Sequence, residues 1–209
     1  MNCNELVIGI DEAGRGALVG PVYASCCLLN KGFNVSILND SKKLSANKRN
    51  EARKLILSNS SYGIGFATQN EIDELNILNA TFLAMQRAFE KFLIDAEKHH
   101  CNLENALIVV DGNRLPKFLK KYSEESLFNT DNPYNFKSMT LIKADSLIPS
   151  VMAASILAKT QRDNFMLFAH KKWPVYNYAS HKGYGTKAHI DAIKKYGLSP
   201  IARRTFKFS

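Results

Sequence analysis

"LVIGIDEAGRGALVGPV", residues 6–22, starts as a strand and stops as something else. The apolar run 6–10 reads as β-structure, yet it ends in two adjacent carboxylates, Asp11 and Glu12, and then in Gly14-Arg15-Gly16. β-Rich sequence resumes in "VYASCCLL" (22–29), so the two runs are expected to pair antiparallel across a glycine-rich bend. A buried strand has no structural use for Asp-Glu. Strand ends in open α/β sheets are, however, where ligands collect.

Working outward, residues 40–60 read as a turn followed by a helix that starts near Ser45, a good N-cap. "YGIGFAT" (62–68) suits a third strand, and from Ile77 to about His99 the apolar residues recur at helical spacing. "ALIVVDG" (106–112) is a continuous apolar strand whose lack of alternation predicts burial on both faces. "FKSMTLI" (136–142) predicts another strand, 148–172 a long helix with Pro149 in its first turn, and 187–196 a final helix. The loop "NTDNPYN" covers 129–135. Strands alternating with helices in this way indicate an α/β fold.

Four acids fall at strand ends: Asp11 and Glu12 after the first strand, Asp111 closing "ALIVVD", and Asp145 between "FKSMTLI" and the long helix. Their convergence is electrostatically costly unless cations sit among them. An all-oxygen donor set suits Mg²⁺ or Mn²⁺ rather than zinc, and such ions serve in-line phosphoryl displacement. Each acid also has a plain structural reading. Asp145 can favour the helix dipole and Asp111 can form a turn. Glu12 joins Asp11 only if the chain turns away there, since neighbouring strand residues point to opposite faces.

Gly14 and Gly16 allow close approach of backbone to ligand, and Arg15 can grip a phosphate. Beside metal acids, such a bend is placed to contact a ribose 2′-hydroxyl, the group that separates RNA from DNA. In "HKGYGTKAH" (181–189), Tyr184 has the form of a stacking platform, with Lys182 and Lys187 available to phosphates. Ser155, Lys159 and Arg162 fall at i, i+4 and i+7 of the long helix, a polar stripe that either tracks a phosphate strand or is simply solvated.

The charge supports a polyanionic partner. Residues 1–142 are balanced at 16 basic and 16 acidic side chains, whereas residues 143–209 hold 12 basic and three acidic ones, the whole of the +9. A basic segment beside a neutral body points to nucleic acid before membrane. No apolar stretch has transmembrane length and no leader is evident, so the expected location is cytoplasmic. Cys3, Cys26, Cys27 and Cys101 lack metal-ligand spacing and read as small buried hydrophobes.

Together "GIDEAGRG…GPV", "DSKKLS", "IDELNIL", "VVDGN", "KADS", "AASILAKTQRD", "HKGYGTKAH" and "RRTF" resemble the ribonuclease HII family over nearly the whole chain. The resemblance implies an RNase H-like mixed β-sheet flanked by helices, with a C-terminal helical extension. It implies a catalytic domain over 1–170 and a basic helical segment over 171–209 packed on it as one compact unit. The implied activity is Mn²⁺- or Mg²⁺-dependent cleavage, with two ions in the active complex, of RNA in RNA/DNA hybrids. It extends to cutting 5′ to ribonucleotides embedded in duplex DNA, leaving 3′-hydroxyl and 5′-phosphate ends. The protein is then expected to be a monomer with no membrane partner. By position, Asp11, Glu12, Asp111 and Asp145 look like the catalytic metal ligands. Gly14, Arg15 and Gly16 look like the 2′-hydroxyl reader and Tyr184 like the junction-stacking residue. Lys42, Lys43, Ser155 and Lys159 look like phosphate contacts. Ala17, Ala144 and Ala202 depart from the residues usual in the family, without touching a metal acid.

Two rivals remain open. Another RNase H-like DNA nuclease would share the acids but have no need of a ribose reader. A non-enzymatic nucleic-acid module would explain the basic charge but not four strand-end acids, which repel phosphate unless metals offset them.

Overall fold

The computed structural model describes residues 6–38, 44–122 and 135–208. Five strands form one sheet in the order β3-β2-β1-β4-β5. β1 (Val7–Ala13), β2 (Val22–Leu29) and β3 (Ser60–Ala67) pair antiparallel, and β4 (Leu107–Asp111) and β5 (Lys137–Leu141) continue the sheet parallel to β1. This is the expected mixed sheet. The difference lies in β1, which runs through both acids to Ala13 before the chain turns.

The helices are α1 (Ala46–Ser58), α2 (Gln69–Leu75), α3 (Ile77–Lys98), α4 (Pro149–Lys172), α5 (Tyr178–His181) and α6 (Lys187–Tyr196). Ser45 caps α1, its hydroxyl accepting from the Lys48 amide at 3.3 Å. α2 escapes periodicity because it has only seven residues. Its signal is a capping box instead: the Thr68 hydroxyl accepts from the Glu71 amide, and the Glu71 carboxylate accepts from the Thr68 amide at 2.8 Å.

α3 covers one face of the sheet, where Ala84, Ala88, Phe89 and Phe92 bury Ile8 and Ile10 of β1 and Ile108 and Val110 of β4. On the other face Val109 packs with Ala144 and with Val151 of α4. β4 is thus apolar on both sides because both sides are covered. α4 approaches β1 so closely that a Cβ on Gly9 would lie 2.3 Å from the backbone of Ser150 and Val151. A third cluster, with Val19, Met166, Tyr176, Tyr178, Ile201 and Ala202, ties the C-terminal segment to the bend after β1.

Cys26 and Cys27 are buried in β2, and burial pushes both thiols up, Cys27 to about 12. They are packing residues, as expected; Cys3 lies outside the described residues. No helix among the described residues is long and apolar enough to cross a membrane.

Candidate active site

Register brings the acids together. Ile10 of β1 pairs with Val110 of β4, so Asp11 and Asp111 follow side by side, Asp111 as the last residue of β4 and Asp11 near the end of the parallel strand β1. Asp111 in turn pairs with Leu141 at the end of β5. Beyond β5, Lys143 takes a left-handed conformation (φ 62°) and a short 3₁₀ turn, Ala144–Ser146, carries Asp145 back over the strand ends. Carboxylate oxygens of Asp11, Asp111 and Asp145 lie within 4.8 Å of one another.

The side from which these acids project is set by alternation. Gly9 faces α4, hence so does Asp11; Val109 packs against Val151 of α4, hence Asp111 shares that face. Asp11 and Asp145 are buried. The Asp11 carboxylate accepts from the Glu12 amide at 2.7 Å and is hydrogen-bonded by Ser155 of α4. Even so, burial first, then the charges of Glu12 and Asp111, push the Asp11 carboxyl well above its ordinary range. Three carboxylates at this spacing cannot all ionise cheaply by themselves. A hard divalent cation held by oxygen donors removes that conflict, so the residues present fit Mg²⁺ or Mn²⁺.

Glu12 obeys the same alternation and leaves the triad. It turns to the α3 face and pairs with Arg15, whose Nη1 lies 3.2 Å from Glu12 Oε1. The turn on which the joining of Glu12 to Asp11 is conditional comes at Gly14 (φ 98°), two residues further on. Glu12 and Arg15 line a cleft of about 370 Å³ together with Thr81 and Met85 of α3 and with Asp111 and Asn113. Asp111 therefore borders both the triad and this cleft. An exposed pair such as Arg15–Glu12 contributes about 0.2–1 kcal/mol, little enough for Arg15 to exchange it for a phosphate.

The Gly14-Arg15-Gly16 turn is built for glycine at its first position. A Cβ on Gly14 would fall 2.0 Å from Arg162 Nε, whereas one at Gly16 would meet nothing within 4 Å. Tyr184 is exposed, as its flanking glycines predict, and its ring centroid lies 5.2 Å from the Arg162 guanidinium carbon.

The polar stripe on α4 needs correction. Ser155 and Arg162 do share a face with Lys159, but Ser155 is buried beside Asp11 and Arg162 is fully buried. A stripe at helical spacing identifies a common face without saying whether that face meets solvent or the sheet. Lys159 donates to Asp163 at 2.8 Å, and Arg49 of α1 reaches the same carboxylate at 3.4 Å. Lys42 and Lys43 lie outside the described residues. Sequence reasoning found no role for Arg203, which donates from Nη2 to the Gly14 carbonyl at 2.7 Å. "RRTF" is visible in the sequence, but nothing local marks one arginine of the pair as buried.

Comparison with known proteins accords with this geometry. The ribonuclease HII family model matches residues 8–209, a span that holds the triad, the turn and Tyr184. The chain belongs to the ribonuclease HII family. It is 48% identical to ribonuclease HII of Treponema denticola, an alignment covering 96% of this chain and 98% of that one. Among solved structures, ribonuclease H2 of Pyrococcus horikoshii superposes with a TM-score of 0.66 at 27% identity, covering 97% and 94% of the two chains. The RNase HII in the PCNA:RNase HII complex of Archaeoglobus fulgidus has a TM-score of 0.70 at 21% identity, covering 98% and 96%, and shares the fold. Membership makes this chain a metal-dependent type 2 ribonuclease H. The three departures from the family pattern, Ala17, Ala144 and Ala202, are all buried.

Proposed function

We propose that this chain hydrolyses the RNA strand of RNA/DNA hybrids and cuts duplex DNA on the 5′ side of embedded ribonucleotides, leaving 3′-hydroxyl and 5′-phosphate ends. The observation that carries the reading is the triad Asp11, Asp111 and Asp145, with oxygens within 4.8 Å of one another, whose member Asp11 lies on the strand that leads into Gly14-Arg15-Gly16. A charge-neutralising centre thus adjoins a turn whose second glycine is open to a ligand.

Asp11, Asp111 and Asp145 would hold Mg²⁺ or Mn²⁺, two ions in the active complex, with Glu12 joining from the adjoining cleft. When bound, these ions supply water activation and neutralise charge on the leaving oxygen. The protein's own part is orientation. Ser155 fixes the Asp11 carboxylate. Gly14, Arg15 and Gly16 take the ribose and its phosphate, and Tyr184 stacks at the junction. Lys42, Lys43 and Lys159 contact backbone phosphates, with Ser155 close to the scissile one. We read residues 1–170 as the catalytic body and 171–209 as a basic segment that brings Tyr184 to it. The enzyme acts as a cytoplasmic monomer.

Three duplexes test this: all-DNA, DNA with one ribonucleotide, and a long RNA/DNA hybrid, each with Mg²⁺, with Mn²⁺ and with EDTA. Cutting of the last two, 5′ to the ribonucleotide and only with metal, is the expected result. Equal cutting of the all-DNA duplex would replace the reading with that of a DNA nuclease on the same fold.

A further inference from the structure

Two arginines, Arg162 of α4 and Arg203 near the C-terminus, are fully buried. A buried guanidinium is costly unless its donors are met. Neither forms an ion pair with a carboxylate among the described residues. Arg203 is solvated instead by main-chain carbonyls of one short stretch, the turn after β1 and the residues that follow it, whereas Arg162 reaches the same stretch through two long contacts and leaves its Nη1 unpartnered. Arg203 donates to the carbonyls of Gly14 at 2.7 Å, Arg15 at 2.9 Å and Gly20 at 2.9 Å. Arg162 donates to Val19 and Pro21 at 3.4 Å each, fills the space a Gly14 side chain would need, and lies under the ring of Tyr184.

Main-chain bonds continue the join. Leu18 donates to the Gly183 carbonyl at 2.9 Å, Gly20 to Ile201 at 2.7 Å, and Arg203 to Leu18 at 3.0 Å. Phe206 covers Arg203, its ring centroid 5.1 Å from the guanidinium carbon. Asp73 of α2 then clamps the tail from outside, accepting from the amides of Arg204 and Thr205 at 2.9 and 3.0 Å and from the Thr205 hydroxyl at 2.7 Å.

We propose that Arg203 and Arg162 are positioning residues which hold the Gly14–Gly16 turn and Tyr184 in one fixed relation, and so determine selectivity for a single ribonucleotide. The inference rests on the reading of that turn and of Tyr184 as the junction reader. Its physical basis is the planar fork of the guanidinium. Arg203 engages three carbonyls at once, which the single ammonium of lysine cannot reproduce at the same geometry. Lysine keeps the charge and loses the fork, so an arginine-to-lysine change separates geometry from charge. In a long hybrid every nucleotide of the RNA strand carries a 2′-hydroxyl, so a displaced reader still finds a ribose. In a duplex with one ribonucleotide only one register is productive, and a misplacement of about 1 Å is severe.

The test is kcat/KM on the single-ribonucleotide duplex divided by kcat/KM on the long hybrid, measured for the parent, Arg203→Lys, Arg162→Lys, Asp73→Asn and Tyr184→Ala. The quotient cancels any change in the fraction of folded enzyme, so a merely structural role does not move it. Both lysine variants are expected to lower it by about tenfold or more, and Asp73→Asn to lower it in the same direction by a smaller factor. If Arg203→Lys fails to fold, Arg162→Lys and Asp73→Asn decide the matter. An unchanged quotient in the arginine and Asp73 variants, with a lowered one in Tyr184→Ala, overturns the positioning role and leaves the junction reader standing. An unchanged quotient in Tyr184→Ala as well removes the reader itself, and this inference with it.

Discussion

Asp11 and Asp111 sit beside one another because Ile10 and Val110, the residues just before them, are paired across two parallel strands. The acidic triad is thus a consequence of sheet register, and Asp145 completes it from the turn after β5. Asp145→Asn keeps the shape and removes one anionic ligand, and should lower Mg²⁺-dependent cleavage by at least about 10²-fold. Mg²⁺ or Mn²⁺ should raise the melting temperature of the parent and do so less in this variant, because ligand binding to the folded state stabilises it. Calorimetry with and without EDTA, beside the cleavage assay, checks both.

Tyr184 offers one exposed ring over Arg162. Tyr184→Ala should lose about tenfold at an isolated ribonucleotide, the scale of one lost stacking contact, and less within a long hybrid. Equal losses on the two substrates would count against a junction role.

Lys187 is exposed at the start of α6, within the segment that carries the net charge. Substrate binding by the parent should weaken linearly in log–log form as salt rises. Lys187→Ala should reduce that slope by about 0.9, the share of one phosphate contact. Binding titrations across a salt series measure it, and an unaltered slope would place the DNA backbone elsewhere.

Glu71 joins α2 to α3 through Arg87, whose guanidinium donates to the Glu71 carboxylate at 2.7 and 3.1 Å. Those hydrogen bonds, chiefly, hold the Glu71 carboxyl down at about 2 against an ordinary 4.5. A carboxyl depressed in the folded state stabilises the fold above its unfolded value and loses that contribution as the pH falls. The parent should therefore lose stability between about pH 4.5 and 2, and Glu71→Gln should show a shallower loss over that window in denaturant titrations. An identical pH profile in the variant would show that this pair contributes nothing.

Much of this molecule was legible in one dimension. The strands, the long helices and the placing of Asp11, Asp111 and Asp145 close to strand ends all follow from residue periodicity and from where apolar runs stop, because backbone geometry repeats locally. The capping box of α2 was equally present in Thr68 and Glu71 but is a signal of four residues, easily passed over beside longer stripes. The tertiary structure decided the rest. Ser155 and Arg162 share a helical face, and only packing shows that this face meets Asp11, Gly14 and Tyr184 rather than water. Glu12, adjacent to Asp11, points into the cleft beside Arg15 because the strand continues past it, and meets the triad through Asp111, which borders that cleft too. Arg203 lies far along the chain from the carbonyls it binds. Local sequence carries the period of a helix or strand, but which neighbour each face will meet depends on contacts between distant segments, and those exist only after the chain has folded.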